Sequence, residues 1–308
     1  MVPTLRVLLN SALSSGSRKL YQRAWALLND FYQQFYHSIS PALSLTTPVL
    51  ALFVSYLHAR KLAPSTIKSY LLAIGYVHKW KGLRDPTRAF ITDKLLTALS
   101  HQGSSDIRLP ILRPVIHALV GSLNHNNSSA FHRTLFSTMF LIAIYGFFRI
   151  GELEAKNANS GGSVVQFSDM RFLMHDGNIH MLTTTITNFK HNTDKRPFVI
   201  LSEREDSMPF CPVQAMLDYC KPRATQAGPL FCHSDTTPIT MGQFNTERHR
   251  CLSFCGLGTS RYKGHSFRIG AASHAAEKGF SDAQNRTLGR WKSDAFKLYI
   301  RYDTLHAN

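Results

Sequence analysis

One change of hydrophobic period constrains this chain more than any other feature. From about Ala130 to Phe147 the residues read as a long apolar helix, with "MFLIAIYGFF" at Met139 to Phe148 as its near-continuous end. Then "SVVQFSDM", "NIHMLTTTIT" and "RPFVIL" turn to β-branched and apolar residues, with turn signals at Asp176-Gly177 and in "HNTDK". Helical patterning resumes at "CPVQAMLDYC" and runs to the end. Such an order predicts a mainly α domain with one small antiparallel sheet set into it. The apolar run is about ten residues against the roughly 20 that span a bilayer, so it reads as a core helix and no membrane is expected as a partner.

Ahead of this domain the chain reads as all helix. "SRKLYQRAWALLNDFYQQFYHS" carries Leu20, Trp25, Leu28 and Phe31/Tyr32 at roughly helical spacing, and "TPVLALFVSYLHARKL" repeats the pattern after Pro48 in a first turn. In "APSTIKSYLLAIGYVHKW", Ser65 or Thr66 is the expected cap, and Ile67, Leu71, Ile74 and Val77/His78 form the buried stripe. The Gly/Ser-rich "SHQGSSD" at Ser100 to Asp106 has the composition of a flexible connection. Two domains are therefore expected, residues 1–103 and 104–308, in a chain whose 308 residues and 44% hydrophobic content can fill two cores.

Lys and Arg number 35 against 19 Asp and Glu, a formal charge of +16 that favours a polyanionic partner. Both domains share it, because residues 1–106 hold 12 basic and four acidic residues and the remainder 23 and 15. Lys68, Lys79 and Lys81 fall off the apolar stripe of their helix, where they either solvate that face or reach phosphates. The five cysteines, Cys211, Cys220, Cys232, Cys251 and Cys255, form no CxxC pair and leave one over, so reduced thiols are expected. "HRCLSFC" lacks the paired spacing of zinc ligands, and no metal site is assigned. The opening "MVPTLRVLLNSALSSGS" is broken by Arg6 and continues in helical register, so a signal peptide is not expected.

Four separated stretches place polar residues where periodicity calls for packing. In "YGFFRIGELEA", Arg149 follows the apolar helix end, and Glu152 stands three residues on, within salt-bridge reach. "TNFKHNTDKRP" carries Lys190 at the tip or shoulder of a hairpin. In "GHSFRIGAASHAAEKG", His265 and Arg268 share one helix face among Ala271, Ala272, Ala275 and Ala276, with no carboxylate until Glu277. In "LGRWKSDAFKLYIRYD", Trp291 precedes Ser293 or Asp294 as the cap of a last helix bearing Tyr299. A buried Arg needs an anionic partner. Two guanidiniums converging on one tetrahedral anion, with N–H donors from His265 and Trp291, suit a phosphodiester whose charge grows at a pentacoordinate transition state.

Arg-x-x-Glu, hairpin Lys, His-x-x-Arg, Trp (where many members have His) and Tyr, in that order, resemble the tyrosine recombinase/integrase family. The resemblance covers nearly the whole chain, since residues from about 15 to 100 are similar to that family's helical, SAM-like core-binding domain, "APSTIKSYLLAI" most of all. It implies a two-domain DNA clamp and a site-specific recombinase. In that family's chemistry Tyr299 would be the nucleophile, displacing a 5′-hydroxyl and leaving a 3′-phosphotyrosine. Arg149 and Arg268 would bind the non-bridging oxygens, His265 and Trp291 would add hydrogen bonds there, and Glu152 would orient Arg149. Lys190 would protonate the departing 5′-oxygen. Bond energy stays in the phosphotyrosine, so neither ATP nor a metal is implied and no cofactor is expected.

The implied partners are double-stranded DNA and further copies of the chain, as a tetramer on two DNA sites. Trp291 stands eight residues before Tyr299, one fewer than the family pattern, which leaves Tyr302 as the alternative nucleophile. Lys195 is the alternative to Lys190. Nine residues follow Tyr299, a short tail for a family whose members often donate a C-terminal segment to a neighbouring protomer. The motif style is similar to recombinases carried by eukaryotic mobile elements, which implies the nucleus, or otherwise the cytoplasm or nucleoid. Three other readings stay open. A type IB topoisomerase would use the same residues, a catalytically silent DNA-binding protein would not need the nucleophile, and an RNA-binding helical protein would account for the charge alone.

Overall fold

Ser14 starts helix α1 (Ser15–Tyr36) by accepting a hydrogen bond from the Ser17 N–H at 3.1 Å, which satisfies one of the donors that a helix start leaves open. Helix α2 (Thr47–Ala59) carries proline in its first turn, as read from Pro48. Helix α3 (Pro64–Trp80) begins earlier than its hydroxyls indicated: Ala63 is the N-cap and Pro64 takes the first helical position, in place of a cap at Ser65 or Thr66. Proline suits that position because its φ is preset and it has no N–H to leave unpaired. The stripe Ile67, Tyr70, Leu71, Ile74 and His78 is buried against Leu28, Phe31, Phe53 and Leu57, with α4 (Phe90–Gln102) completing the layer. His78 is fully buried yet satisfied on both nitrogens: Nδ1 donates to the Ile74 carbonyl at 2.9 Å and Nε2 accepts from the Leu45 N–H at 3.2 Å.

The computed structural model describes residues 12–37, 41, 43–102, 108–125, 129–189, 192, 194–205, 210–223 and 225–301. The chain divides into two compact units, Met1–Asp106 and Ile107–Asn308; the junction expected at 103/104 lies outside the described residues. The second unit is built on α5 (Arg113–Ser122) and α6 (Ala130–Tyr145). Helix α6 is buried from Leu135 to Ile144 with only Ser137 less covered, as a central core helix must be. A four-residue helix, α7 (Ile150–Leu153), follows it directly. Among the described residues no helix is long and apolar enough to cross a membrane.

The sheet is antiparallel in the order β1 (Met170–His175), β2 (Asn178–Ile186), β3 (Phe198–Glu203). Asp176 and Gly177 both take positive φ, 49° and 76°, in the two-residue turn that suits the right-handed twist of a hairpin. "SVVQFSDM" is not the first strand. Asp169 accepts from the Gln166 N–H at 2.9 Å and winds Phe167–Asp169 into a 3₁₀ turn, so pairing with β2 starts only at Met170. Val165 instead donates its N–H to the Glu152 carbonyl at 2.9 Å, which fixes the strand approach against α7.

Helices α8 (Pro212–Arg223), α9 (Met241–Phe254), α10 (Gly264–Glu277) and α11 (Asp282–Leu288) close the unit. Tyr299 ends a six-residue 3₁₀ turn, Asp294–Tyr299, rather than an α-helix. That segment is tied down along its length by the buried Phe296, by Lys297–Asp282 at 3.0 Å and by Ser273 Oγ donating to the Tyr299 carbonyl at 3.2 Å, which favours the tighter winding.

Helix α10 lies directly on the chain entering the unit: the Ile111 N–H donates to the Ser266 carbonyl at 3.0 Å. A Cβ on Gly270 would stand 2.0 Å from the Ile111 carbonyl oxygen. Gly270→Ala must therefore push α10 away from that backbone, and a loss of about 3 kcal/mol is expected, read as a lower urea midpoint at unchanged slope.

Candidate active site

Helices α6 and α11 end alike. In each a glycine closes the helix (Gly146, Gly289), a non-glycine takes left-handed backbone (Phe147, φ 52°; Arg290, φ 54°), and an aromatic residue follows. The aromatic N–H reaches back five residues: Phe148 to the Ala143 carbonyl at 3.1 Å, Trp291 to the Arg286 carbonyl at 3.0 Å. This closure satisfies carbonyls that a helix end leaves open. A left-handed φ costs a non-glycine residue about 1 kcal/mol, so surrounding contacts must hold both turns in place. The Trp291 ring fills the space over Gly289, where a Cβ would meet it at 1.5 Å.

Arg268, 1% exposed on α10, joins the two helix ends. Its Nη1 donates to the Phe147 carbonyl at 2.7 Å and its Nη2 to the Gly289 carbonyl, while the Trp291 ring lies over the guanidinium at 4.3 Å. Helix C-termini carry partial negative charge, so these carbonyls provide counter-charge to a buried cation. The expectation that Arg268 depends on an anion from outside the chain is corrected to that extent. Main-chain oxygens, invisible in a list of side chains, hold it first.

Arg149 sits at the N-cap of α7, half-buried. Its Nη1 donates to Glu152 Oε1 at 3.0 Å and its N–H to Glu152 Oε2 at 2.9 Å. The buried Glu152 carboxylate also accepts from Arg290 Nη2 at 2.6 Å, and the same nitrogen donates to the Phe147 carbonyl at 3.1 Å. Burial, then the neighbouring Arg149 and Arg290, push the Arg268 guanidinium down to about 9. Burial likewise lowers Arg290 to about 10 against the pull of Glu152. Three clustered guanidiniums and one carboxylate leave surplus positive charge in a poorly solvated space, which an incoming anion relieves.

The rim of this group is half-buried and aromatic. The His265 ring, in the first turn of α10, meets the Tyr299 ring edge-on at 4.8 Å, and the Trp291 ring lies 5.4 Å from Tyr299. Ser273, one face along α10, holds the Tyr299 carbonyl and accepts from the Arg301 N–H at 3.1 Å. Arg149, Glu152, His265, Arg268, Trp291 and Tyr299 are thus brought together from three separated stretches. Lys190 and Tyr302 lie outside the described residues. Between β2 and β3, Asn192 Nδ2 closes the connection by donating to the Thr187 and Arg196 carbonyls at 2.6 and 2.8 Å. Lys195 is exposed there at φ 50°.

In the first unit Lys68 and Lys81 are exposed, and Lys79 pairs with Asp85 at 3.1 Å. The sequence reading missed Arg290 and Glu154. Glu154, just past α7, is buried with Oε2 lacking a hydrogen-bond partner among the described residues, and burial pushes its carboxyl up to about 7 against the pull of Arg248. Because folding raises this pKa from 4.5, the folded state holds the proton more tightly, and that stabilisation is present below pH 4.5 and lost as pH rises through about 7. Glu154→Gln is expected to remove this component: the melting temperature of wild type relative to the variant should decline between those two pH values.

No protein-family model and no curated protein sequence matches the chain. Solved structures do. A lambda integrase dimer bound to a COC′ core site is similar at a TM-score of 0.65 and 14% identity, over 98% of this chain and 76% of that one. XerH site-specific recombinase bound to palindromic difH substrate is similar at 0.66 and 14%, over 93% and 76%. The Tn1549 transposon integrase in complex with transposon right end DNA is similar at 0.67 and 12%, over 99% and 96%. Mainly α, with a small three-stranded antiparallel sheet in its second unit, this chain has the fold of the tyrosine recombinases and integrases.

Proposed function

We propose that this chain is a site-specific DNA recombinase that cuts and rejoins duplex DNA through a phosphotyrosine bond at Tyr299. The observation that carries the reading is the clustering of Tyr299 with His265 and Trp291 beside the buried Arg268 and the Arg149 and Arg290 guanidiniums, which share the Glu152 carboxylate. The phenolic oxygen attacks the scissile phosphorus, the bond to the 5′-oxygen breaks, and a 3′-phosphotyrosine remains for a second strand to attack. Charge growing on the non-bridging oxygens meets Arg149 and Arg268, whose positions are set before the anion arrives. Lys190 serves as the acid for the leaving oxygen. The DNA-bound complexes among the similar structures support duplex DNA as the partner. The first unit serves as the core-binding domain, with the exposed Lys68 and Lys81 able to approach phosphates, Lys81 from over the Trp80 ring, and Lys79 drawn toward Asp85. Strand exchange in this scheme engages four copies on two sites.

The test is direct. Wild-type chain incubated with a nicked duplex, carrying the sequence that the chain selects from a random pool, is expected to give an SDS-resistant protein–DNA adduct. Gel retardation without any adduct is the behaviour of a silent binder, and relaxation of supercoiled plasmid without sequence preference is that of a type IB topoisomerase; either overturns the reading.

A further inference from the structure

The reaction described above makes no use of Arg290, although its side chain is 1% exposed and lies at the centre of the cluster. We propose that Arg290 is a positioning residue of this site: it shares the Glu152 carboxylate with Arg149, shares the Phe147 carbonyl with Arg268, and ties both to the connection that carries Lys190. The inference rests on the recombinase reading.

Three observations carry it. One nitrogen, Nη2, bridges Glu152 Oε2 at 2.6 Å and the Phe147 carbonyl at 3.1 Å, so a single group sets the position of what holds Arg149 and of what holds Arg268. The guanidinium is enclosed by the rings of Phe148, Phe189 and Phe198 at 5.6, 5.6 and 5.7 Å. Phe189 immediately precedes Lys190 and Phe198 opens β3, so the cage grips both arms of that connection. Finally, Nε and Nη1 are buried with no hydrogen-bond partner among the described residues. The surrounding rings are a weaker compensation than an oxygen acceptor.

A buried ion group of this kind is weak evidence of a role in stability alone, because apolar side chains of similar volume in place of the whole group commonly serve a core as well or better. Its geometry is suited to a different task. A planar fork can hold a carboxylate and a carbonyl at fixed relative positions while stacking on rings, and a lysine ammonium cannot do all three. Removing the fork leaves Glu152 with Arg149 as a partner but frees the carboxylate to turn, and a displacement of about 1 Å at a reacting centre costs about 100-fold in rate.

The experiment compares wild type, Arg290→Met, Arg290→Lys, Glu152→Gln and the Arg290→Met/Glu152→Gln double variant, as full chains, on the selected nicked duplex. Arg290→Met is expected to slow adduct formation about 100-fold while DNA retardation changes by no more than about twofold and the melting temperature falls by no more than that of Arg149→Gln, which keeps the other half of the Glu152 pairing. Arg290→Lys should be slowed too, and it carries the test if the methionine variant does not fold. The double variant should be no slower than the slower single variant, because both substitutions break one relay. Rate losses that multiply in the double variant, or rates that fall only in step with melting temperature, would overturn the positioning role while leaving the recombinase reading intact. Absence of a Tyr299-dependent adduct in the wild type would remove that reading and this inference together.

Discussion

Tyr299→Phe is expected to abolish the covalent adduct, by at least about 10⁴-fold, with DNA retardation unchanged. The substitution deletes one oxygen. The ring keeps its edge-on packing against His265 at 4.8 Å and its place beside Trp291 at 5.4 Å. The backbone tether through Ser273 to the Tyr299 carbonyl does not involve the hydroxyl either. A loss of chemistry therefore cannot be ascribed to a loose C-terminal turn. An undiminished adduct in this variant would move the nucleophile to Tyr302, three residues on.

Arg149→Gln is the second large effect, about 10³-fold in adduct rate. Arg149 is the half-buried member of the guanidinium group, and the main chain at this position keeps its own bond to Glu152. Glu152 also keeps Arg290, so the variant does not strand a buried charge and a stability loss of only about 1 kcal/mol is expected. Arg268→Gln would behave differently. It removes the Arg268 bonds to the Phe147 and Gly289 carbonyls at two helix ends and leaves the Phe147 carbonyl with Arg290 alone, so rate and melting temperature should fall together. Wild-type rates in Arg149→Gln would mean that this guanidinium does not meet the transition-state charge.

Much of this fold is written in local signals. The change of period after α6, the Asp176-Gly177 turn and the stripe on α3 each follow from neighbours in sequence. The residues proposed for the site stand close in sequence for a related reason: Arg149 with Glu152, and His265 with Arg268, are three apart on single local segments, and Trp291 and Tyr299 share one short stretch. What escaped depends on main-chain oxygens and on distant pairing. Arg268 is held by carbonyls 121 and 21 residues away, and Arg290 meets a carbonyl 143 residues away. No side-chain pattern encodes those acceptors. Val164 and Val165 read as strand because β-branched residues favour extended backbone, and they are extended, but the Gln166–Asp169 turn diverts them before they can pair with β2. At Ala63 the preset φ of Pro64 outweighed two good capping hydroxyls.

On the proposed mechanism one atom of this chain, the Tyr299 phenolic oxygen, becomes joined to DNA. Trimming the adduct with nuclease, digesting the protein and mapping the remaining nucleotide by mass spectrometry reads that atom directly. The expected result is a 3′-linked nucleotide on the peptide containing Tyr299, localised to its phenolic oxygen, with a free 5′-hydroxyl on the departing strand. A nucleotide on any other side chain, or a 5′ linkage, would contradict it.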